Sequence, residues 1–143
     1  MTESSAREPN LAPHLASESP VYESGLRHVG RVLLGLYFFG PGVLKLFDLG
    51  LYETYMATHG VPFVVPALWL TIVLQIGGGL ALMIGYRRQL MAFVLAGLAL
   101  VINLFMHDFW NVYEGLTAAH EQQNFVKNLG IIAGLLYVAG SPK

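Results

Sequence analysis

The chain has 143 residues, of which 55% are hydrophobic and 12% charged, with a formal net charge of -1 and no cysteine. A chain this short and apolar does not divide into two ordinary soluble domains, and its near-neutral balance offers no broad basic face to nucleic acid. The absence of cysteine excludes disulfides, thiol nucleophiles, iron–sulfur clusters and Cys-ligated metals together, so any electron-transfer role needs a bound cofactor or a partner.

Residues 1–24 carry Glu3, Glu8, Glu18 and Glu23 against Arg7, broken by Pro9, Pro13 and Pro20. They lack the basic start and apolar core of a secretory signal and read as a disordered tail. Residues 25–143 read as one membrane domain. Its first apolar run, residues 29–47, is interrupted only by Arg31 and Lys45 near its ends. About 20 helical residues cross a hydrocarbon core of about 30 Å, so this run is long enough if both basic side chains snorkel outward. Pro41, between Gly40 and Gly42, cannot donate to the carbonyl of Tyr37 and predicts a kink. Residues 48–62 form a polar loop containing Asp48, His59, Gly60 and Pro62, either irregular or holding a short interfacial helix, with Tyr52 and Tyr55 suited to an interfacial belt.

The second run, residues 64–84, contains no charge. Gln75 near its middle must face the bundle interior, because an unsatisfied amide in hydrocarbon is costly. Gly77-Gly78-Gly79 allows another backbone to approach closely. Residues 85–89, with Arg87 and Arg88, form a turn so short that the second and third runs are antiparallel neighbours. The third run spans residues 90–106. The fourth has an uncharged part of only residues 129–140, and reaches a spanning length if its helix starts near Thr117. Gly130 and Gly134 in it are suited to close helix contact. The expected fold is an all-α membrane protein, a bundle of four transmembrane helices. Four crossings put Arg7, Arg27, Arg31, Arg87, Arg88 and Lys143 on one side and only Lys45 and Lys127 on the other, which predicts cytoplasmic termini.

The opposite rim collects the polar residues. Lys45 and Asp48 are three apart and Asn103 and His107 four apart, so each pair shares a helix face. Lys127 and Asn128 enter from the fourth helix at similar depth, with Asp108 and Trp110 beside His107. One reading is a polar latch that closes the bundle. The other is a ligand site for a quinone-like headgroup, lined by Lys45, Asp48, Asn103, Asp108, Trp110 and Asn128 with Gln75 deeper. In it His107 relays a proton and Lys127 or Lys45 stabilises developing negative charge. No metal site is expected, because His107-Asp108 and His120-Glu121 are adjacent pairs that do not share one helical face. Haem lacks two axial histidines at bilayer depth. Trp69, Trp110, Tyr86, Tyr113 and Tyr137 are interfacial or lipid-facing anchors.

Several motifs follow one another in order. They are Arg31-x-Leu-Leu-Gly-Leu-x-Phe-Phe, Gly42-x-x-Lys45-Leu-x-Asp48, Gly60-x-Pro62, Gly77-Gly-Gly-Leu-x-Leu-x-x-Gly85-x-Arg87, His107-Asp-Phe-Trp110 and Phe125-x-Lys127-Asn128-Leu. Together, over about residues 27–140, this pattern resembles the DoxX family of small proteins of the bacterial plasma (inner) membrane. The resemblance implies a four-helix transmembrane domain and an integral membrane subunit of a quinone-linked or redox-protective complex. Quinone is then the implied cofactor, and the lipid bilayer and a redox protein the implied partners, with a homo-oligomer compatible. A non-catalytic membrane scaffold and a small-molecule permease are the alternative functions.

Overall fold

The computed structural model describes residues 20–111, 113 and 117–142, with side chains from Ser24 onward; most of the tail expected at residues 1–24 lies outside these. Among the described residues the chain is helical, without strands. Helix α1 runs from Pro20 to Lys45 and carries Pro41 inside it. The chain then turns by 104° into the short helix α2, Leu49–Thr58. Asp48 starts α2 as its N-cap, its carboxylate accepting from the Leu51 N–H at 3.0 Å, which satisfies one of the donors a helix start leaves open. The polar loop expected at residues 48–62 is therefore mostly helical.

Gly60 at φ 67° and Phe63 at φ 51° reverse the chain into α3, Val64–Val73. The helix continues through a π-helical turn, Leu74–Gly78, into α4, Gly79–Ile84. The widened turn falls on Gln75 and the start of the glycine triplet, where the backbone has the least preference for an α-helical repeat. Gly85 at φ 83° and Arg87 at φ 43° make the tight reversal into α5, Arg88–Met106. Helix α6, Ala118–Gly140, completes the chain.

Two stretches are long and apolar enough to cross a bilayer, Val64–Ile84 and Arg88–Met106, and α1 with α2 qualifies as a third, bent one. Helix α6 is not among them: its first three turns hold Glu121, Gln122, Gln123, Asn124, Lys127 and Asn128. Helix α5 packs most extensively on α6, and α1 on α4. Phe38, Leu82, Leu95 and Leu135 fill the core, with Ala92, Ala96 and Ala99 on α5 allowing close approach. The outer surface is apolar: Phe47, Ile84, Phe93 and Tyr137 are among many large side chains more than 60% exposed. An apolar exterior around a small buried core is what a lipid solvent requires.

The closest backbone approach joins α1 to α4. A Cβ placed on Gly79 would lie 2.7 Å from the Gly35 carbonyl oxygen and 2.9 Å from the Phe39 nitrogen. Gly42 meets the π turn in the same way, 2.9 Å from Gln75 Cβ and Ile76 Cγ1. Gly130, expected at a close helix contact, faces open space, and Gly134 meets only the Leu34 methyls at 3.8 Å and beyond. Gly79→Ala therefore forces two backbones apart and should destabilise the fold by about 1–3 kcal/mol, whereas Gly130→Ala should not; thermal unfolding in detergent compares them.

Candidate functional site

The two ends of the bundle differ in chemistry. At one end the start of α1, the Arg87–Arg88 turn and the end of α6 come together, with the Gln89 side-chain amide donating to the Ser141 carbonyl at 2.5 Å. At the other end lie the α2–α3 connection, the C-terminus of α5 and the start of α6.

This second end is stitched by amides. Asn103 is fully buried on α5. It accepts from Asn128 Nδ2 at 3.1 Å and donates to the Phe125 carbonyl at 3.2 Å. Asn128 Oδ1 in turn accepts from the Tyr37 hydroxyl at 2.7 Å. One chain of hydrogen bonds thus joins α1, α5 and α6, each member supplying what its neighbour lacks.

Beyond the amides lie two imidazole–carboxylate pairs. His107 ends α5 as its C-cap, and its Nδ1 sits 2.7 Å from Oε2 of the buried Glu121. Glu121 occupies the first turn of α6, where a negative charge also complements the helix dipole. Asp108 forms the second pair with His59, Nδ1 to Oδ1 at 3.0 Å, both side chains nearly sealed from solvent. Asp108 Oδ2 accepts from the Tyr113 hydroxyl and the Asn111 amide, each at 2.6 Å. Tyr55 and Tyr113 rings pack against the His59 ring at 4.6 and 4.2 Å between centroids. Burial pushes the Asp108 carboxyl up, but the hydrogen bonds from Tyr113, Asn111 and His59 together outweigh it and hold the group below the ordinary carboxylate value. The same carboxylate, through its hydrogen bond, raises the Tyr113 phenol.

An ionised carboxylate only accepts, so His59 carries its shared proton on Nδ1 and turns Nε2 away from Asp108. That Nε2 is buried and has no hydrogen-bond partner among the described residues. Gln75 Oε1, buried in the π turn, is likewise without a partner. Buried polar atoms are seldom left so.

Of the residues singled out from sequence, the fold joins Asn103 with Asn128, and brings His107 and Asp108 to one rim, each on a different partner. Gln75 faces the interior, as its place in an apolar run requires. Lys45 turns back to the Pro41 carbonyl at 3.4 Å and over the Tyr52 ring at 4.9 Å, while Asp48 is engaged in capping α2. Lys127 is exposed and donates to Asn124 at 2.9 Å. Trp110 is exposed and packs edge-on to Phe109 and Phe125. His59 and Glu121, the partners that organise both histidine pairs, were not singled out. Among the described residues no three His, Asp or Glu side chains are grouped to hold a metal ion.

A small helical chain with bilayer-length apolar segments, a lipid-compatible exterior and a backbone that satisfies itself in helices is a helical membrane protein. Its match to the DoxX family model over residues 26–108, more than half its length, shows that it belongs to that family. It is 34% identical over 112 residues to the inner membrane protein YqjF of Escherichia coli, covering 78% of this chain and 79% of that one. It is also 24% identical over 131 residues to the ER-derived vesicles protein ERV29 of Saccharomyces cerevisiae, covering 92% of this chain but only 35% of that one. No solved structure matches the chain.

Asn128→Leu should leave Asn103 and Tyr37 each short of a partner and cost about 1–2 kcal/mol, at the lower end of the aqueous range because an unfolded chain in lipid finds other partners; unfolding in detergent measures it. Because the folded Asp108 carboxyl titrates below its ordinary 3.8, its contribution is complete above that value and disappears as pH falls through the folded value. The stability difference between wild type and Asp108→Asn should therefore be flat at neutral pH and shrink only in that acid window, as acid titration of the melting temperature would read.

Proposed function

We propose that this chain is an integral protein of the bacterial inner membrane, with four spans and both termini cytoplasmic, acting as a membrane subunit of a quinone-linked or redox-protective complex. Four crossings follow if α6 is held by its polar first turns against the rim, and the arginine-rich end then faces the cytoplasm. The relative named as an inner membrane protein supports the location. The observation that carries the functional reading is His59 Nε2, buried and unpartnered beside a carboxylate that holds the opposite face of the ring.

Reducing a quinone to a quinol consumes two electrons and two protons. In a chain without cysteine the electrons come from a redox partner, and this chain supplies the proton chemistry. Asp108 takes the Nδ1 hydrogen bond of His59 and so fixes the ring with Nε2 as the nitrogen that faces a headgroup oxygen. His107, paired with Glu121 and less buried than His59, is placed to relay protons from the aqueous side. Lys45 and Lys127 add positive charge to this rim.

A non-catalytic scaffold is the second reading, favoured by the mutual satisfaction of Tyr37, Asn128, Asn103 and the Phe125 carbonyl. The protein extracted from its native membrane in mild detergent separates the two. The redox reading expects a co-extracted quinone or redox protein, and retention of quinone about tenfold lower in a folded His59→Leu variant. Finding neither, with normal folding, would support the scaffold.

A further inference from the structure

The end of the bundle opposite the histidine pairs contains two adjoining cavities that share Arg31 and Arg88. One, of about 710 Å³, is lined by Arg31, Arg87, Arg88 and Gln89 with the turn at Gly85. The other, of about 540 Å³, runs between α1 and α6 and adds Arg27 and His28 at its mouth. Four of the eight Lys and Arg residues of the chain thus line this one place, and among the described residues that line it there is no Asp or Glu. Arg31 is held in position: its Nη2 lies 2.8 Å from His28 Nδ1, and its guanidinium covers Gly85, where a Cβ would come within 3.0 Å of Nη1. Its Nε is buried and has no acceptor among the described residues. Arg88 is anchored to the Pro142 carbonyl by one Nη.

Below the arginines the second cavity becomes apolar, with walls of Leu34, Gly134, Tyr137 and Val138. Helices α1 and α6 touch little, and at Gly134 an added Cβ would just reach the Leu34 methyls, at 3.8 and 3.9 Å, so the glycine leaves about a methyl's width between the two helices there. A cationic mouth above an apolar slot, on a protein whose exterior faces lipid, has the polarity of one phospholipid molecule with a negative headgroup.

We infer that this end is a binding site for a single anionic phospholipid, its phosphate held between Arg31 and Arg88 and an acyl chain lying in the slot between α1 and α6. The planar guanidinium groups suit a phosphate better than a choline-neutralised headgroup, so the site selects by net headgroup charge. Bound this way, the lipid fills the gap between the first and last helices where direct packing is thin.

Native mass spectrometry of the full chain, delipidated and then titrated with phosphatidylglycerol or phosphatidylcholine, tests this. Phosphatidylglycerol should bind about tenfold more tightly or better, with each arginine of an Arg31→Gln, Arg88→Gln pair removing about threefold of that preference. Gly134→Leu, which fills the slot without touching the arginines, should weaken both lipids together and serves if the arginine variants do not fold. Inorganic phosphate forms the third arm and should not compete at equal concentration. Equal binding of the two lipids, an undiminished preference in the double variant, or full competition by inorganic phosphate would overturn the lipid assignment, the last pointing to a soluble anion.

Discussion

The hydrogen bond between Asn128 and Asn103 is the contact on which the arrangement of the bundle most depends. It places two amides from different helices inside apolar surroundings, where neither can turn to water instead. Once they are paired, α5 and α6 have one register, and the Tyr37 hydroxyl ties α1 to the same depth. The partners of the two histidines follow from that register, since Glu121 lies two turns before Asn128 on α6 and His107 one turn beyond Asn103 on α5.

Much of this was legible from the order of residues, and the remainder was not for identifiable reasons. Uninterrupted apolar stretches located α3 with α4, and α5, because crossing a bilayer is a constraint on length and polarity alone. Gln75 announced itself as interior because a polar side chain within an apolar run is costly unless it turns toward a partner, whereas Asn103 and Asn128 read only as members of the polar rim. The partners of the histidines were hidden: His59 meets Asp108 from 49 residues away, across a bend of 104° that periodicity does not encode. Its position between Tyr55 and the breakers Gly60 and Pro62 was the usable signal, a ring stacked on its own helix and immobilised by the following turn. Glu121 read as part of a polar approach to α6, and only the packing of α5 on α6 turns it inward. Long lysine side chains left Lys45 and Lys127 undetermined, since either stem reaches several partners from one Cα position.

The molecule separates two kinds of polarity along its length. Titratable acids and bases are paired and shielded at the histidine end, where hydrogen bonds hold protons in defined places. Fixed positive charge collects around open space at the other end. The apolar core between them is built on small alanines and glycines, and among the described residues no ionic connection runs through it from one end to the other. What unites the ends is mechanical: α1 and α5 each extend from one to the other.

The π turn at Leu74–Gly78 has a consequence for how this length is used. One surplus residue in a helix rotates everything after it by about 100° relative to an uninterrupted spiral. Segments α3 and α4 are therefore out of phase: α3 buries Leu68 and Ile72, and α4 buries Gly79 and Leu82 against a different arc of neighbours. One segment of bilayer length thereby carries two interfaces, with Gln75 at the seam between them. Gly79, just past that seam, sets α4 directly against the Gly35 and Phe39 backbone of α1, a contact independent of the face that α3 presents.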